Sequence, residues 1–458
     1  MKNLNKGKSE RSDAGFDSRN LALSILIKIK SERSYANLAL PAELKKTSLE
    51  PRDSAFVTEL VYGTLRKQIF YDKIIESVSD RKLTKIDAIP LQILRLTAHQ
   101  LLALQTPPHA AVDSAVRLTV RNKHGSASGF INAVSRRVSE RSTAQWLEVL
   151  LVNCDPIDAL ALEFSHPRWI VEEYLKRLEN VDAVRRELVA NNLNPQVTGV
   201  IYPGHQWSST TTSVSEACEW VPAARYLPGN PEHIAEITNR TGGIQDQGSY
   251  LVAQALALAP TTYLKSPKTE PLWLDMCAGP GGKAALLSRW AHQKQTRFLA
   301  MEISEHRATL MKRMTSEIVV ADSTRPPIAP ESVEKILLDA PCSGLGALRR
   351  RPDARLRKSP EELPGLVEIQ RQLLDSAAAL LAVGGVMAYI TCSPVVGETI
   401  GNIQWFIETH PAIELIDARP YLPAGMELGE RLDVQLWPGV HHTDAMYVAL
   451  VQKKSSTR

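Results

Sequence analysis

Two of the five cysteines occupy matching places. Cys342 in Asp339-Ala340-Pro341-Cys342 and Cys392 in Thr391-Cys392-Ser393 each follow directly on a short apolar run. A lone cysteine is usually a small buried hydrophobe. Two at the carboxyl ends of successive predicted strands would converge on the edge where an open α/β sheet binds its ligands. Upstream, Cys277-Ala278-Gly279-Pro280-Gly281-Gly282-Lys283 joins the run 272–276 to a helical segment. Glycines at such a turn let the backbone bend tightly and approach a ligand beside a helix N-terminus. The next predicted strand ends in Glu302, where a carboxylate can accept hydrogen bonds from ribose hydroxyls.

A thiolate beside a nucleotide-cofactor turn suits methylation of carbon 5 of a pyrimidine, because that carbon is too poor a nucleophile to attack a methylsulfonium directly. Addition of the thiolate at C6 pushes electron density to C5; methyl transfer, loss of the C5 proton and elimination of the cysteine complete the cycle. This chemistry needs an activated thiol and a proton acceptor. Asp339 is the candidate carboxylate for the base edge, and otherwise a cap for the turn that follows it. Other ligands for the glycine turn remain open. A phosphate-binding P-loop would need glycine at 277 and Ser or Thr at 284, where Cys277 and Ala284 stand. A dinucleotide fingerprint counted from Gly279 meets Ala284 instead of its last glycine, which leaves NAD as an alternative, and a turn with no ligand is the third.

The elements that would position these residues follow from periodicity. From Arg19 to about Val138 apolar positions recur at helical spacing, as in Leu91, Leu94, Ala98, Leu101 and Leu102. After Gly242 short apolar runs at 272–276, 298–301, 318–320, 336–338, 386–390 and 446–451 alternate with helical segments, which predicts a doubly wound, mostly parallel sheet. Between them lie helical segments near 169–178 and 184–191 and a run rich in Pro, Gly, Ser and Thr at 203–215. The expected organisation is a disordered tail (1–15), an all-helical domain (16–145), a small connecting domain (150–240) and an α/β Rossmann-like catalytic domain (241–455).

At 458 residues the chain is long enough for two or three cores. No apolar run approaches a membrane span and the polar start lacks a signal-peptide core, so the expected location is cytoplasmic. An odd number of cysteines with no CxxC pair predicts free thiols, with no metal site. The net charge of +4 is too small to demonstrate a polyanionic partner, so clustering matters more. Five arginines and Lys358 crowd residues 348–358, beside Cys342, where they could grip phosphates or form a solvated loop. Arg66, Lys67, Arg121, Lys123, Arg136 and Arg137 are candidates for a second RNA-facing patch.

Residues 277–283 (CAGPGGK), 337–353 (LLDAPCSGLGALRRRPD) and 391–393 (TCS) resemble the RNA cytosine-5 methyltransferase family, as do Gly243–Ser249 and Ser165-His166-Pro167. Segments 58–66, 93–102, 108–116 and 130–138 resemble the RNA-binding domain of the antitermination factor NusB. The combination is similar to the bacterial 16S ribosomal RNA methyltransferases of the RsmB (Sun, Fmu) type. The resemblance implies S-adenosyl-L-methionine as cofactor, held by Cys277, Ala278, Gly279, Pro280, Gly281, Gly282, Lys283, Glu302, Asp322 and Asp339. It implies Cys392 as nucleophile, Cys342 as helper in proton removal or adduct release, and 16S ribosomal RNA as partner of a monomeric enzyme. Transfer RNA, and a noncatalytic RNA-binding role, are the alternatives. Two departures stand out: the acidic-Asn pair usual after TCS reads Glu398-Thr399, and the terminal Asp-Gly-Phe-Phe reads Asp444-Ala-Met-Tyr447.

Overall fold

A computed structural model describes residues 17–262, 270–315 and 317–455 in full; the expectation for residues 1–15 lies outside them. The chain forms two compact units, residues 1–175 with 350–357, and residues 176–349 with 358–458.

The first unit is helical throughout. Its core comes from the predicted stripes: Leu23, Leu60, Tyr71, Ile74, Leu94, Leu118 and Ile131 are all buried, on helices Lys2–Ser31, Pro51–Arg66, Gln68–Ser79, Ala88–Leu102, Pro108–Arg121 and Ser128–Ser139. Prolines open three of its helices, at Pro51, Pro108 and Pro156, positions whose backbone lacks an intrahelical acceptor in any case. Ser142 and Gln145 form a reciprocal capping box on Thr143–Leu150.

Residues 350–357 add a short turn, Pro352–Leu356, that carries Arg355 into this core. The buried guanidinium donates through Nη1 to the carbonyls of Arg66 (3.2 Å) and Ser165 (3.1 Å). Arg66 ends its helix and Ser165 has a left-handed backbone, so both carbonyls lie where a ladder partner is missing. Burial, then the Arg66 guanidinium, pulls Arg355 down to about 9. Arg357 donates to Ser34 O at 2.8 Å and lies 4.3 Å from the ring centre of Tyr35. His166, also buried, shares a hydrogen bond of 2.8 Å with Phe164 O, and burial followed by the Arg355 charge holds its pKa well below the usual range.

The second unit contains two sheets. The smaller is antiparallel, in the order β2-β3-β1-β4, with β1 Thr198–Ile201, β2 Glu216–Ala217, β3 Ala224–Tyr226 and β4 Gly242–Ile244. Within the Ser/Thr-rich run expected to be irregular, Ser208 caps a six-residue helix, Ser209–Val214, by accepting from Thr211 N.

The larger sheet is built from β5 Leu272–Asp275, β6 Arg297–Glu302, β7 Ile318–Val320, β8 Val333–Asp339, β9 Leu381–Thr391, β10 Ile413–Ile416, β11 Val434–Gln435 and β12 Tyr447–Lys453. Its order is β10-β12-β9-β8-β5-β6-β7, with β11 paired to β12. Strands β5 to β9 are parallel, whereas β12 runs antiparallel between β9 and β10. The first five cover the five predicted parallel runs, and β12 the last predicted run. Successive residues serve opposite faces: Trp273, Phe298 and Leu337 pack with helices Gln247–Leu258 and Gly282–Gln293, while Leu274, Met301, Ile336 and Leu338 pack with Leu363–Leu380 and Ile400–Thr409. Lys335 looks misplaced in such a strand. Its buried Nζ donates to the carbonyls of Leu256, Ala257 and Ala259 at 2.6–2.9 Å, closing the C-terminal end of Gln247–Leu258.

Removing the Arg355 side chain orphans two carbonyls and opens a cavity. Arg355→Ala is expected to destabilise the protein by about 3 kcal/mol, measured by denaturant unfolding, without changing the salt dependence of RNA binding.

Candidate active site

The carboxyl ends of β5, β6, β8 and β9 carry the residues singled out in the sequence. Beyond Asp275, the Met276 and Ala278 amides bond to Leu337 O and Met301 O, both at 2.9 Å, so the glycine turn is laced to the strands on either side. Gly279 N donates to Glu302 Oε2 at 3.0 Å, and a Cβ at Gly279 would strike that carboxylate. Glu302, almost fully buried, also accepts from Ser304 N (2.8 Å) and pairs with Arg307 (2.6 Å). Asp322 is exposed just past β7, where Ala321 N bonds to Glu302 O. Its carboxylate accepts from Thr324 N and Oγ1, which holds it below the usual range.

Lys283 leads from this loop to the cysteines. Its Nζ lies 2.8 Å from Asp339 Oδ2. Burial disfavours its charge, but the Asp339 carboxylate overcomes that and raises its pKa, and the charge of Cys392 adds to the effect. A fixed ammonium that feels Cys392 in turn favours the thiolate. Sγ of Cys342 lies 3.4 Å from Sγ of Cys392, and both residues are partly exposed. The hydrogen bond to Cys392, then burial, holds the Cys342 thiol well above its ordinary range. The pair is therefore polarised toward a protonated Cys342, and at 3.4 Å either sulfur can be the donor. Cys277 is also pushed up, by burial and then by Asp275, which suits it to packing rather than attack.

Three features take their role only from the structure. Asp275 is fully buried at the base of the glycine turn, with the Cys277 amide beside its carboxylate and no side-chain donor on it among the described residues. Burial, then the neighbouring Asp339 charge, raises it to about 8. Glu398 is buried between the two cysteine loops. Its Oε1 accepts from Ser343 N (2.7 Å) and Gln370 Nε2 (3.1 Å), and its Oε2 from the hydroxyls of Ser343 and Ser393, both at 2.5 Å. Gly346, between Cys342 and the arginines, donates to Cys392 O (2.9 Å) and accepts from Ala445 N (2.8 Å), so close that a Cβ there would collide with both neighbours. The sequence held partial signals: an acid ending an apolar strand, and an acid six residues after Cys392.

The arginine run needs correction as a phosphate grip. Arg349 is buried in ion pairs with Asp246 (3.4 Å) and Asp444 (3.5 Å), Arg355 is buried, Arg357 is half-buried, and of the five only Arg350 is exposed. In Arg349, Arg355 and Arg357, carbonyls and carboxylates already take donors that would have met phosphate. The second basic set is also divided. Arg66 is buried and Lys67 donates to Glu163 O, whereas Lys123 and Arg136 are exposed.

A mostly parallel sheet with a glycine turn after its first strand and an acid after its second defines a nucleotide-cofactor enzyme of the methyltransferase class. The model described as "16S rRNA methyltransferase RsmB/F" matches residues 262–452, and "NusB family" matches 17–140. A Mycobacterium tuberculosis protein named "Putative methyltransferase Rv1407" is 37% identical over 95% of this chain and 96% of its own length. The Pseudomonas putida "Ribosomal RNA small subunit methyltransferase B" is 27% identical over 95% and 98%. The crystal structure of PH0851 shares the fold, with a TM-score of 0.76 at 21% identity over 96% of this chain and 98% of that one. The chain belongs to the RsmB/F methyltransferase family, and is an S-adenosylmethionine-dependent RNA methyltransferase with a NusB-like helical region. Among the described residues no helix is long and apolar enough to cross a membrane.

The Asp275 carboxyl titrates near 8 in the fold against an ordinary 3.8, so its contribution to stability is complete below about pH 4 and is lost as pH rises through 8. Asp275→Asn removes that loss. The melting temperature of the variant relative to wild type is expected to rise between pH 5 and pH 8.5; a constant difference would contradict a buried, proton-binding carboxyl.

Proposed function

We propose that this enzyme methylates carbon 5 of a cytidine in small-subunit ribosomal RNA through a covalent bond between Cys392 and C6. The observation that carries this reading is the polarised thiol pair, 3.4 Å apart, beside the Lys283–Asp339 ion pair. The glycine turn suits the cofactor: Gly279 lets the backbone come within hydrogen-bonding distance of Glu302 at the neighbouring strand end, where a side chain would strike that carboxylate. Residues 277–283, Glu302, Asp322 and Asp339 would hold S-adenosylmethionine, which supplies an electrophilic methyl group and leaves as S-adenosylhomocysteine.

The residues of the chain then have distinct tasks. Lys283 favours the Cys392 thiolate, whose sulfur adds to C6 and moves electron density onto C5. Asp339, partly exposed at the end of β8, would accept a hydrogen bond from the exocyclic amino group or protonated N3 of the cytosine. Once C5 carries the methyl group, its proton leaves to a base, the C5–C6 double bond re-forms and Cys392 departs. Cys342 holds a proton next to the departing sulfur and thereby assists release. Reaching C6 requires an unstacked base, so the substrate is a looped or partly folded RNA. For an enzyme acting on ribosomal RNA the cytoplasm is the location expected.

Methyl transfer from labelled S-adenosylmethionine to small-subunit ribosomal RNA is expected to yield 5-methylcytidine by nucleoside mass spectrometry. Cys392→Ala should abolish it, and Cys342→Ala should accumulate an enzyme–RNA adduct resistant to denaturing gels. RNA binding by wild type without 5-methylcytidine in ribosomal or transfer RNA would instead favour a noncatalytic binding protein.

Lys283→Met removes a charge-assisted hydrogen bond and the cation facing Cys392. It is expected to slow single-turnover methyl transfer by about 10- to 100-fold, with the thiol of Cys392 alkylated more slowly by iodoacetamide.

A further inference from the structure

We infer that Glu398 is a positioning residue that holds the Cys342 and Cys392 loops in one register, a role that rests on the two-thiol chemistry proposed above. Cys342 and Cys392 are 50 residues apart and follow different strands; their loops meet through the two sulfurs and through Gly346 N, which donates to Cys392 O. A buried carboxylate joins them further. Glu398 ends the short turn Val396–Glu398 and is fully buried. Its oxygens collect one backbone N–H and two hydroxyls from Ser343 and Ser393, the residues that directly follow the two cysteines. The two hydroxyls lie 3.1 Å apart on the same oxygen. Shifting either loop by about an ångström breaks a short hydrogen bond to a buried acceptor, which is expensive where water cannot replace it.

Further hydrogen bonds fix the carboxylate in turn. Gln370 Nε2 donates both to Glu398 and to Pro341 O, directly before Cys342. Gln370 Oε1 accepts from Asn402 Nδ2 (2.7 Å), and the Tyr389 hydroxyl donates to Glu398 O (2.9 Å). Gln370, Tyr389, Glu398 and Asn402 are all buried, so the arrangement is rigid. A glutamine at 398 keeps one acceptor for Ser343 N and Gln370 but turns an NH2 group toward the Ser343 and Ser393 hydroxyls, which must then accept instead of donating and lose their short charge-assisted bonds.

The test uses the full-length protein without RNA or cofactor, equilibrated in a glutathione redox buffer. One of the two thiolates opens oxidised glutathione and releases one glutathione; the other displaces the second, leaving a Cys342–Cys392 disulfide that peptide mass spectrometry quantifies. Wild type is expected to pair the two thiols in preference to mixed disulfides. Glu398→Gln should lower the pairing constant by about tenfold, or about 30 mV, measured at a temperature where circular dichroism shows the variant folded. Ser393→Ala should act in the same direction and less. A folded Glu398→Gln protein that pairs as wild type does, or a wild type that fails to pair, overturns the assignment; if Glu398→Gln does not fold, Ser393→Ala decides it by the same reading. Absence of 5-methylcytidine in the transfer assay would leave this measurement unaffected.

Discussion

A buried carboxylate, that of Glu398, receives donors from both loops that carry the candidate reactive thiols. In water such a group would be solvated and indifferent to its neighbours. Inside the protein it must be supplied with hydrogen-bond donors, and removing one partner of a buried charge typically costs about 3–5 kcal/mol. Two strand ends and the residues between them are thereby tied to one point. The parallel sheet brings β8 and β9 side by side, but pairing alone leaves the loops beyond them free to diverge. The shared acceptor converts adjacency of strands into contact between sulfurs.

A second constraint ties the thiols to the glycine turn. Lys283 starts the helix that follows the turn, yet its ammonium reaches Asp339 on β8 and senses Cys392 beyond β9. One cation thus spans three strand ends. The burial that makes this ion pair demanding also strengthens its field, because few water dipoles remain to screen it. The hydrogen bond to Cys392 and then the same low polarity favour the proton on Cys342, and burial favours it on Asp275. Neighbouring acids and thiols are driven apart in behaviour by their surroundings, which is what the proposed division between a nucleophile and a proton donor needs.

Much of this was legible in the sequence. The apolar runs gave the main strands within a few residues, since both faces of a parallel sheet are covered and its strands read as continuous apolar stretches. The glycine turn and the two cysteines at strand ends were legible because spacing along the chain directly sets their place. What was hidden depends on contacts distant in sequence. Glu398 meets a loop 55 residues away, and its hydrogen-bond partners Ser343 and Gln370 carry no periodic signal. The arginines at 349, 355 and 357 look like a solvated basic cluster, yet carbonyls and carboxylates from remote segments take up their donors. Composition cannot show whether a guanidinium faces water or a carbonyl. Strands β10 and β11 escaped notice because they are short and follow long irregular stretches, and they are recruited only by pairing with β12.

The central claim is that Cys392, steadied by Cys342, forms the bond to RNA. The most direct measurement is to trap the adduct on small-subunit ribosomal RNA containing 5-fluorocytidine, whose C5 cannot lose a proton, and to map the modified peptide by mass spectrometry. The account predicts a methylated 5-fluorocytidine attached to the peptide that contains Cys392. Attachment at Cys342, or 5-methylcytidine formed on ordinary RNA with no adduct on either cysteine, would contradict it.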